Sequence, residues 1–261
     1  MNELKVKNPI PNENISDFVQ NILVIENFQV TNPFVLPLYA NGSPTLLFQT
    51  AKGEIKGNSN NLTLFGQTVF PETLTIKEDF TLIAYFFKPF ALSTLFGFSA
   101  QELTDNPIDI NLLEPSKTLE LQEKLLNSNS INEMINLIDN YIFSLVNKIK
   151  ADINLIKFAT TEIVKNPDNE ILKKVQNELH LTERTFQRMF KKNVGLSPNQ
   201  YRRIGQFSSA FKQLQQKQFE NLFDIAFDNG YSDQSHFTRS FKEFTNITPK
   251  DYLKFGNLSN D

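Results

Sequence analysis

Arg188 and Arg239 stand 51 residues apart, each inside a stretch that nearly repeats the other. A guanidinium presents a rigid fork of N–H donors that matches guanine O6 and N7 or a phosphate, and by itself it makes or breaks no bonds. Arg184 and Gln187 add donors beside Arg188, and Gln234, Ser235 and His236 do so beside Arg239. These seven residues are the candidates for base contact. Thr182, Lys191, Lys192, Arg202, Arg203 and Lys242 are the candidates for phosphate, which fixes position without reading sequence. Catalysis has weaker support. His236 has no nucleophile and orienting partner near it in the sequence, so contact with DNA or capping of its own helix is the better reading. Glu102, Asp105 and Asp109 resemble paired carboxylates, but no motif sets their separation, and surface or capping roles are expected.

The elements that must carry these donors are legible. TERTFQRMFKKNVGLSPNQY, from Thr182, lies over DQSHFTRSFKEFTNITPKDY, from Asp233, with Phe186/Phe237, Arg188/Arg239, Phe190/Phe241, Lys191/Lys242, Pro198/Pro249 and Tyr201/Tyr252 identical. Such self-similarity is the first thing to seek in a chain. Thr182 and Asp233 are N-cap residues, and phenylalanines at i and i+4 make one apolar stripe opposite a polar face. Ser197-Pro198 and Thr248-Pro249 then start new helices. Upstream, Glu170 to Leu179 and Asn221 to Asn229 read as shorter helices that turn through His180-Leu181 and Gly230-Tyr231. Two helices joined by a tight turn, the second with an Arg- and Gln-bearing face, make a helix-turn-helix.

The expected units are therefore a first motif at about 170–192, a linker helix at 198–216 and a second motif at about 221–244. The linker would span about 28 Å at ~1.5 Å per residue. That is close to the roughly 34 Å between successive major-groove faces, so one chain could present both motifs to one side of a duplex.

Charge is distributed to match. The 261 residues carry a net charge of −3, but residues 152–261 hold 16 Lys and Arg against 13 Asp and Glu. Between Lys173 and Arg203, eight basic residues face only Glu178 and Glu183, a footprint suited to phosphate. There is no Cys, and His180 and His236 both lie in the C-terminal half. A His-ligated metal in the N-terminal half is thus excluded by count, and no metal or cofactor is expected. No run approaches a membrane span, and the first residues lack a signal peptide's apolar core. A cytoplasmic protein without membrane association is expected.

From Ile22 to Phe87 the texture is β. ILVIENFQV, FVLPLYA, TLLFQT, LTLFGQTVF, TLTIK and FTLIAYFF are separated by turn signals at Asn32-Pro33, Asn41-Gly42, Lys52-Gly53 and Gly57-Asn58, which suggests a sandwich or small barrel. Residues 1–20 read as a surface arm or edge. After Pro89 the pattern becomes helical, with short helices in PFALSTLFGFSAQEL and around Ile108 to Leu113. Longer helices follow in SKTLELQEKLLN, INEMINLIDNYIFSLVNKIK and Asp152 to Val164. Ile131, Ile135, Ile138, Ile142 and Leu145 form a stripe read as core in preference to a dimer seam. The fold class is α+β. A β-rich sensing or oligomerisation domain with trailing helices occupies 1–150, and an all-α domain with two helix-turn-helix motifs occupies 151–261.

The C-terminal stretch resembles the DNA-binding domain of the AraC/XylS family of transcription regulators. The resemblance rests on Ile225-Ala226, Gly230-Tyr231-Ser232-Asp233-Gln234-Ser235-His236-Phe237, Arg239, Phe241-Lys242, Thr248-Pro249 and Tyr252. Arg184, Phe186, Arg188, Phe190-Lys191, Gly195-Leu196-Ser197-Pro198 and Tyr201 carry it in the first copy. It covers about 100 residues. His180 stands where the family has Gly, Gln176 where it has Ala, and Asn246 where it has Gly, so the first motif is expected to be the looser. More distantly, LPLYANGSPTLLF, LFGQT and FFKPFALSTLFGFSAQELTDNPIDI are similar to cupin-like sensor regions of such regulators. The resemblance implies a transcription regulator that binds double-stranded DNA and is controlled by a small-molecule effector or homodimerisation, with RNA polymerase as partner if it activates. The rival readings are a small-molecule enzyme with an accessory helical domain and a protein-interaction module.

Overall fold

The computed structural model describes residues 4–113, 115–149, 152–168 and 170–258. The expected domain boundary falls on Lys150 and Ala151, which lie outside the described residues. Strand β1 (Lys5–Lys7) is an edge paired with β2 (Val19–Asn27). The sheet continues through β3 (Phe34–Leu38), β4 (Thr45–Ile55), β5 (Asn58–Phe65), β6 (Glu72–Ile76), β7 (Phe80–Phe87) and the two-residue β8 (Ile108–Asp109). Its pairings are antiparallel, in the order β1-β2-β7-β4-β5-β8. The antiparallel β3–β6 pair lies off this path and joins β4 at Glu54 and Thr75.

The poor alternation of the strand sequences has a physical cause, because the central strands are covered on both faces. In β7, Phe80, Leu82 and Ala84 enter a core enclosed with Leu74 and Ile76 of β6, while Ile83, Tyr85 and Phe87 enter the core shared with the helices. Two expectations are corrected. Lys52-Gly53 is no turn, for β4 runs through it. Gly53 is needed there because a Cβ would stand 2.4 Å from Leu74 Cδ1 and 2.7 Å from the Gln49 side chain. The hairpin instead turns at Lys56 and Gly57, with φ of 50° and 75°. Ile108 and Asp109 are strand, paired with Leu64 and Thr63, and only Ile110–Leu112 is a 3-10 turn.

Helix α1 (Ala91–Phe96) and a 3-10 turn at Ala100–Leu103 follow the sheet. Next come α2 (Pro115–Leu126) and α3 (Ile131–Val146), the latter capped by Ser130 accepting from the Glu133 amide. Ile138, Ile142 and Leu145 of α3 are buried, so its stripe is core. The rest is helical: α4 (Asn154–Lys165), α5 (Ile171–Glu178), α6 (Glu183–Asn193), α7 (Pro198–Gln215), α8 (Leu222–Asp228), α9 (Gln234–Thr245) and α10 (Pro249–Leu258). None of the helices among the described residues is long and apolar enough to cross a membrane.

Candidate DNA interface

Each expected motif forms, as α5 with α6 and as α8 with α9. The turns between their helices need a left-handed residue. Gly230 supplies it at φ 70° without steric cost, whereas His180 supplies it at φ 52° against its own Cβ. Thr182 Oγ1 accepts the Thr185 amide at 3.3 Å, and Asp233 Oδ1 accepts the His236 amide at 2.7 Å. That amide bond, ahead of the Ser232 hydroxyl and the Ser235 amide, holds the Asp233 carboxyl below its ordinary value. Asn246 ends α9 in the left-handed region at φ 65°.

Phenylalanines decide which face each recognition helix hides. Phe186 and Phe190 are buried under α6, with ring centroids 5.1 Å apart, and Phe190 meets Tyr201 of α7 at 5.8 Å. Under α9, Phe237, Phe241 and Phe244 are buried, and Phe207 of α7 lies 5.7 Å from Phe241 and 5.0 Å from Phe244. Helix α7 is thus the spar on which both motifs are mounted. Its start is pinned by a capping box between Ser197 and Gln200, with Pro198 in the first turn. Eighteen residues long, it extends about 27 Å at ~1.5 Å per residue.

With the phenylalanines turned inward, the opposite faces are open. Arg184, Arg188, Lys191 and Lys192 of α6 are exposed, with Gln187 half-buried and Thr182 exposed at the cap. On α9, Gln234, Ser235, Arg239 and Lys242 are exposed. His236 is half-buried: its Nδ1 is 3.2 Å from Ser232 Oγ, and its ring stands edge-on to Tyr231 at 5.2 Å. Tyr231 is itself buried, which pushes its pKa up to about 12.

Two phosphate candidates are placed otherwise than expected. Arg202 is buried at 9% exposure, donating to the Pro167 carbonyl at 2.9 Å and to Asn199 Oδ1. Burial, then the adjacent Arg203 charge, pulls its pKa below the usual value. It staples α7 to the loop between α4 and α5, and this corrects its assignment to phosphate. Arg203 is half-buried, ion-paired to Glu243 of α9 and positioned 5.7 Å over the Phe244 ring. Both side chains are held by elements packed on α7, Arg202 by the loop ahead of α5 and Arg203 by α9.

The carboxylates Asp105 and Asp109 accept backbone amides, Asp105 from a loop and Asp109 as the cap of the 3-10 turn. Asp105 Oδ1 accepts the Val69 and Phe70 amides at 2.7 and 3.1 Å, and Asp109 accepts the Asn111 amide at 2.9 Å. The Asn41-Gly42-Ser43 turn joins β3 to β4, with Asn41 Oδ1 accepting the Ser43 amide. It also rests on α7, the Gly42 Cβ position being 3.6 Å from the Tyr201 ring.

Sequence reasoning missed a contact that only folding brings together. The end of α6 is seated on the N-terminal part of the chain. Thr104 Oγ1 donates to the Gly195 carbonyl at 2.9 Å, and Ser93 Oγ lies 3.1 Å from Asn193 Oδ1. A Cβ on Gly195, at φ 91°, would stand 2.6 Å from Thr104 Oγ1 and 2.8 Å from the Ala100 carbonyl oxygen. Ser93 and Thr104 lie about 100 and 91 residues from their partners, and no local pattern marks them.

A helix-turn-helix domain family matches residues 176–254, and a domain of unknown function, DUF6597, matches residues 7–109. The probable transcription factor PqrA of Proteus vulgaris is 30% identical over 105 residues, which are 40% of this chain and 84% of that protein. An uncharacterized HTH-type transcriptional regulator of Haemophilus influenzae is 26% identical over 166 residues, 58% of this chain and 54% of the relative. The match therefore spans about half the relative's length. ToxT from Vibrio cholerae aligns at 13% identity with a TM-score of 0.49, over 85% of this chain and 97% of that one. Two helix-turn-helix units on one connecting helix, behind a β-rich unit, define a DNA-binding transcription regulator. The chain belongs to the AraC family of such regulators.

Proposed function

We propose that this protein controls transcription in the cytoplasm by setting α6 and α9 into successive major grooves of double-stranded DNA. Residues 1–150 form the controlling domain and 151–261 the reading domain. The observation that carries the proposal is the pair of exposed cationic faces, Arg184 and Arg188 on α6 and Arg239 on α9, both carried by α7. Base contact falls to these arginines with Gln187, Gln234, Ser235 and His236. Phosphate contact falls to Thr182, Lys191, Lys192 and Lys242. RNA polymerase is a partner if the protein activates, and a second copy is a partner if the operator is a repeat.

Control runs through the seat on α6. Ser93 and Thr104 hold the last turn of the first recognition helix, so a shift of the N-terminal unit moves α6 with it. The cavity enclosed by the sheet, about 210 Å³ and lined by leucines such as Leu36, Leu47, Leu74 and Leu82, is smaller than the roughly 300 Å³ at which ligand pockets usually begin.

The test is selection of bound sequences from a random duplex library with the full chain, followed by titration at increasing salt. Log affinity should fall linearly with log salt, and Lys192→Ala should weaken all sequences alike while reducing the slope by about 1. Absence of salt-dependent retention on any duplex would sink the proposal.

A further inference from the structure

The phenylalanines beneath α9 hold that helix against α7, but apolar contacts are non-directional and do not fix how it is turned. A second set of contacts in the same joint is directional. Gln206 of α7 is buried at 3% exposure, and its Nε2 donates to the Asn229 carbonyl at 2.9 Å. Asn229, also buried, ends α8 at the turn into α9. Its Nδ2 donates to Gln213 Oε1 at 2.6 Å and to the Ile225 carbonyl at 2.9 Å. Gln213, further along α7, donates to the Gln218 carbonyl at 3.1 Å and to Asp228 Oδ2 at 2.8 Å. Beyond the turn, the buried hydroxyl of Tyr231 lies 3.3 Å from Ser240 Oγ of α9. Three carboxamides and a hydroxyl pair therefore link α7, the turn and the recognition helix.

The first motif lacks this link. In its turn the His180 and Leu181 amides donate to the Asn177 and Gln176 carbonyls, and no carboxamide of α7 bonds to that turn among the described residues. A buried carboxamide that loses its partner forfeits both the bond and the water it gave up on folding, so the joint closes in the pose that satisfies all three. We propose that Gln206 and Gln213 are positioning residues for DNA reading: acting through Asn229, they fix the rotation of α9 on α7 and so decide which bases Arg239 and Gln234 reach. A bidentate bond to guanine needs the guanidinium fork in line with the base edge, whereas attraction to phosphate does not. A small rotation of α9 therefore costs discrimination before it costs affinity. This inference rests on the DNA-binding reading and adds to it the buried groups that set sequence preference.

The test is selection from a random duplex library with the full chain, as wild type, Arg239→Ala, Gln206→Met and Gln213→Ala. Gln216→Ala, at an exposed position on α7 outside the network, is the control. Arg239→Ala marks the base positions that α9 reads. Gln206→Met should weaken discrimination at those positions by about tenfold, the worth of one misaligned bidentate contact. Gln213→Ala should weaken it severalfold, and the positions read by α6 should keep their preference in both variants. Gln213 is half-buried, so its variant decides the matter should thermal melting show that Gln206→Met does not fold. A merely structural role would lower Tm and the bound fraction on every duplex alike, with preference intact. Preference retained at the α9 positions, equal relaxation at the α6 positions, or an equal effect of Gln216→Ala would overturn the proposal while leaving DNA binding standing. A wild type that selects no duplex would overturn the DNA-binding reading itself, and this proposal with it.

Discussion

The two helix-turn-helix motifs are built to one plan and held in two different ways. The second is fastened within its own domain. Phe237, Phe241 and Phe244 meet Phe207, Phe211 and Tyr252 in one aromatic cluster, and α8 starts with a capping box between Asn221 and Asp224. The first has fewer aromatic contacts with α7 and leans on Ser93, Ala100 and Thr104 of the N-terminal unit. Aromatic pairs contribute about 0.5–1.5 kcal/mol each beyond burial, so the second motif draws more of its support from its own helices. A motif that borrows part of its support can be controlled by whatever moves the lender.

The largest effect that would sharpen this contrast comes from Gly195→Ala. A methyl there meets Thr104 and Ala100 and occupies a left-handed backbone, so a loss of about 2–3 kcal/mol in urea unfolding is expected. Amides of α6 should lose hydrogen-exchange protection while those of α9 keep theirs. Equal loss in both helices would erase the distinction between lender and borrower.

Arginine removal comes next. Arg239→Ala should cost about 1–3 kcal/mol on a selected duplex and relax preference at the bases it reads. Arg188→Ala should cost as much only when α6 is free to dock. If the two variants lose the same affinity in full-length protein, α6 is not under N-terminal control. Unchanged binding in Arg239→Ala would remove the second motif from recognition altogether.

The turns give a smaller and opposite pair. His180→Gly relieves a left-handed residue and should raise stability by about 1 kcal/mol, and Gly230→Ala should lower it by a similar amount. Chemical denaturation measures both. Should His180→Gly destabilise the fold, the side chain of His180 has a role that its exposed position does not reveal.

The smallest effect separates the caps by pH. Asp233 has a folded pKa below its ordinary 3.8, so its cap contributes fully above that ordinary value. The contribution fades as pH falls through the lowered one. Thr182 does not titrate. Between those two acid values, exchange at the start of α9 should quicken while the start of α6 is unaffected, as hydrogen exchange followed by NMR can show. Identical behaviour of both helix starts would count against the Asp233 cap.

The recognition helices were legible because their determinants are local. Caps, an i/i+4 phenylalanine pair and a Ser-Pro or Thr-Pro restart act within one or two turns of chain, so Thr182, Asp233, Pro198 and Pro249 announced themselves. The six main strands were legible for the same reason, since apolar runs bounded by turn residues need no partner to be recognised. Gly53 was misleading because glycine serves both turns and close packing, and Leu74, the atom that decides between them, is 21 positions away. Arg202 misled likewise, since a basic pair on a helix looks the same whether it faces solvent or a neighbouring loop.

Sequence alone therefore determined the class of the protein, the two helix-turn-helix motifs and most of the residues on their outward faces, because periodicity and capping operate over distances that the chain itself spans. Tertiary structure alone decided that Arg202 is a staple, that Thr104 and Ser93 seat α6, and that Lys88 faces Lys157 and Lys212 across a cleft. Those relations join residues from 35 to 124 positions apart. They arise when apolar surfaces bury one another, and burial carries polar groups along wherever the packed faces happen to meet.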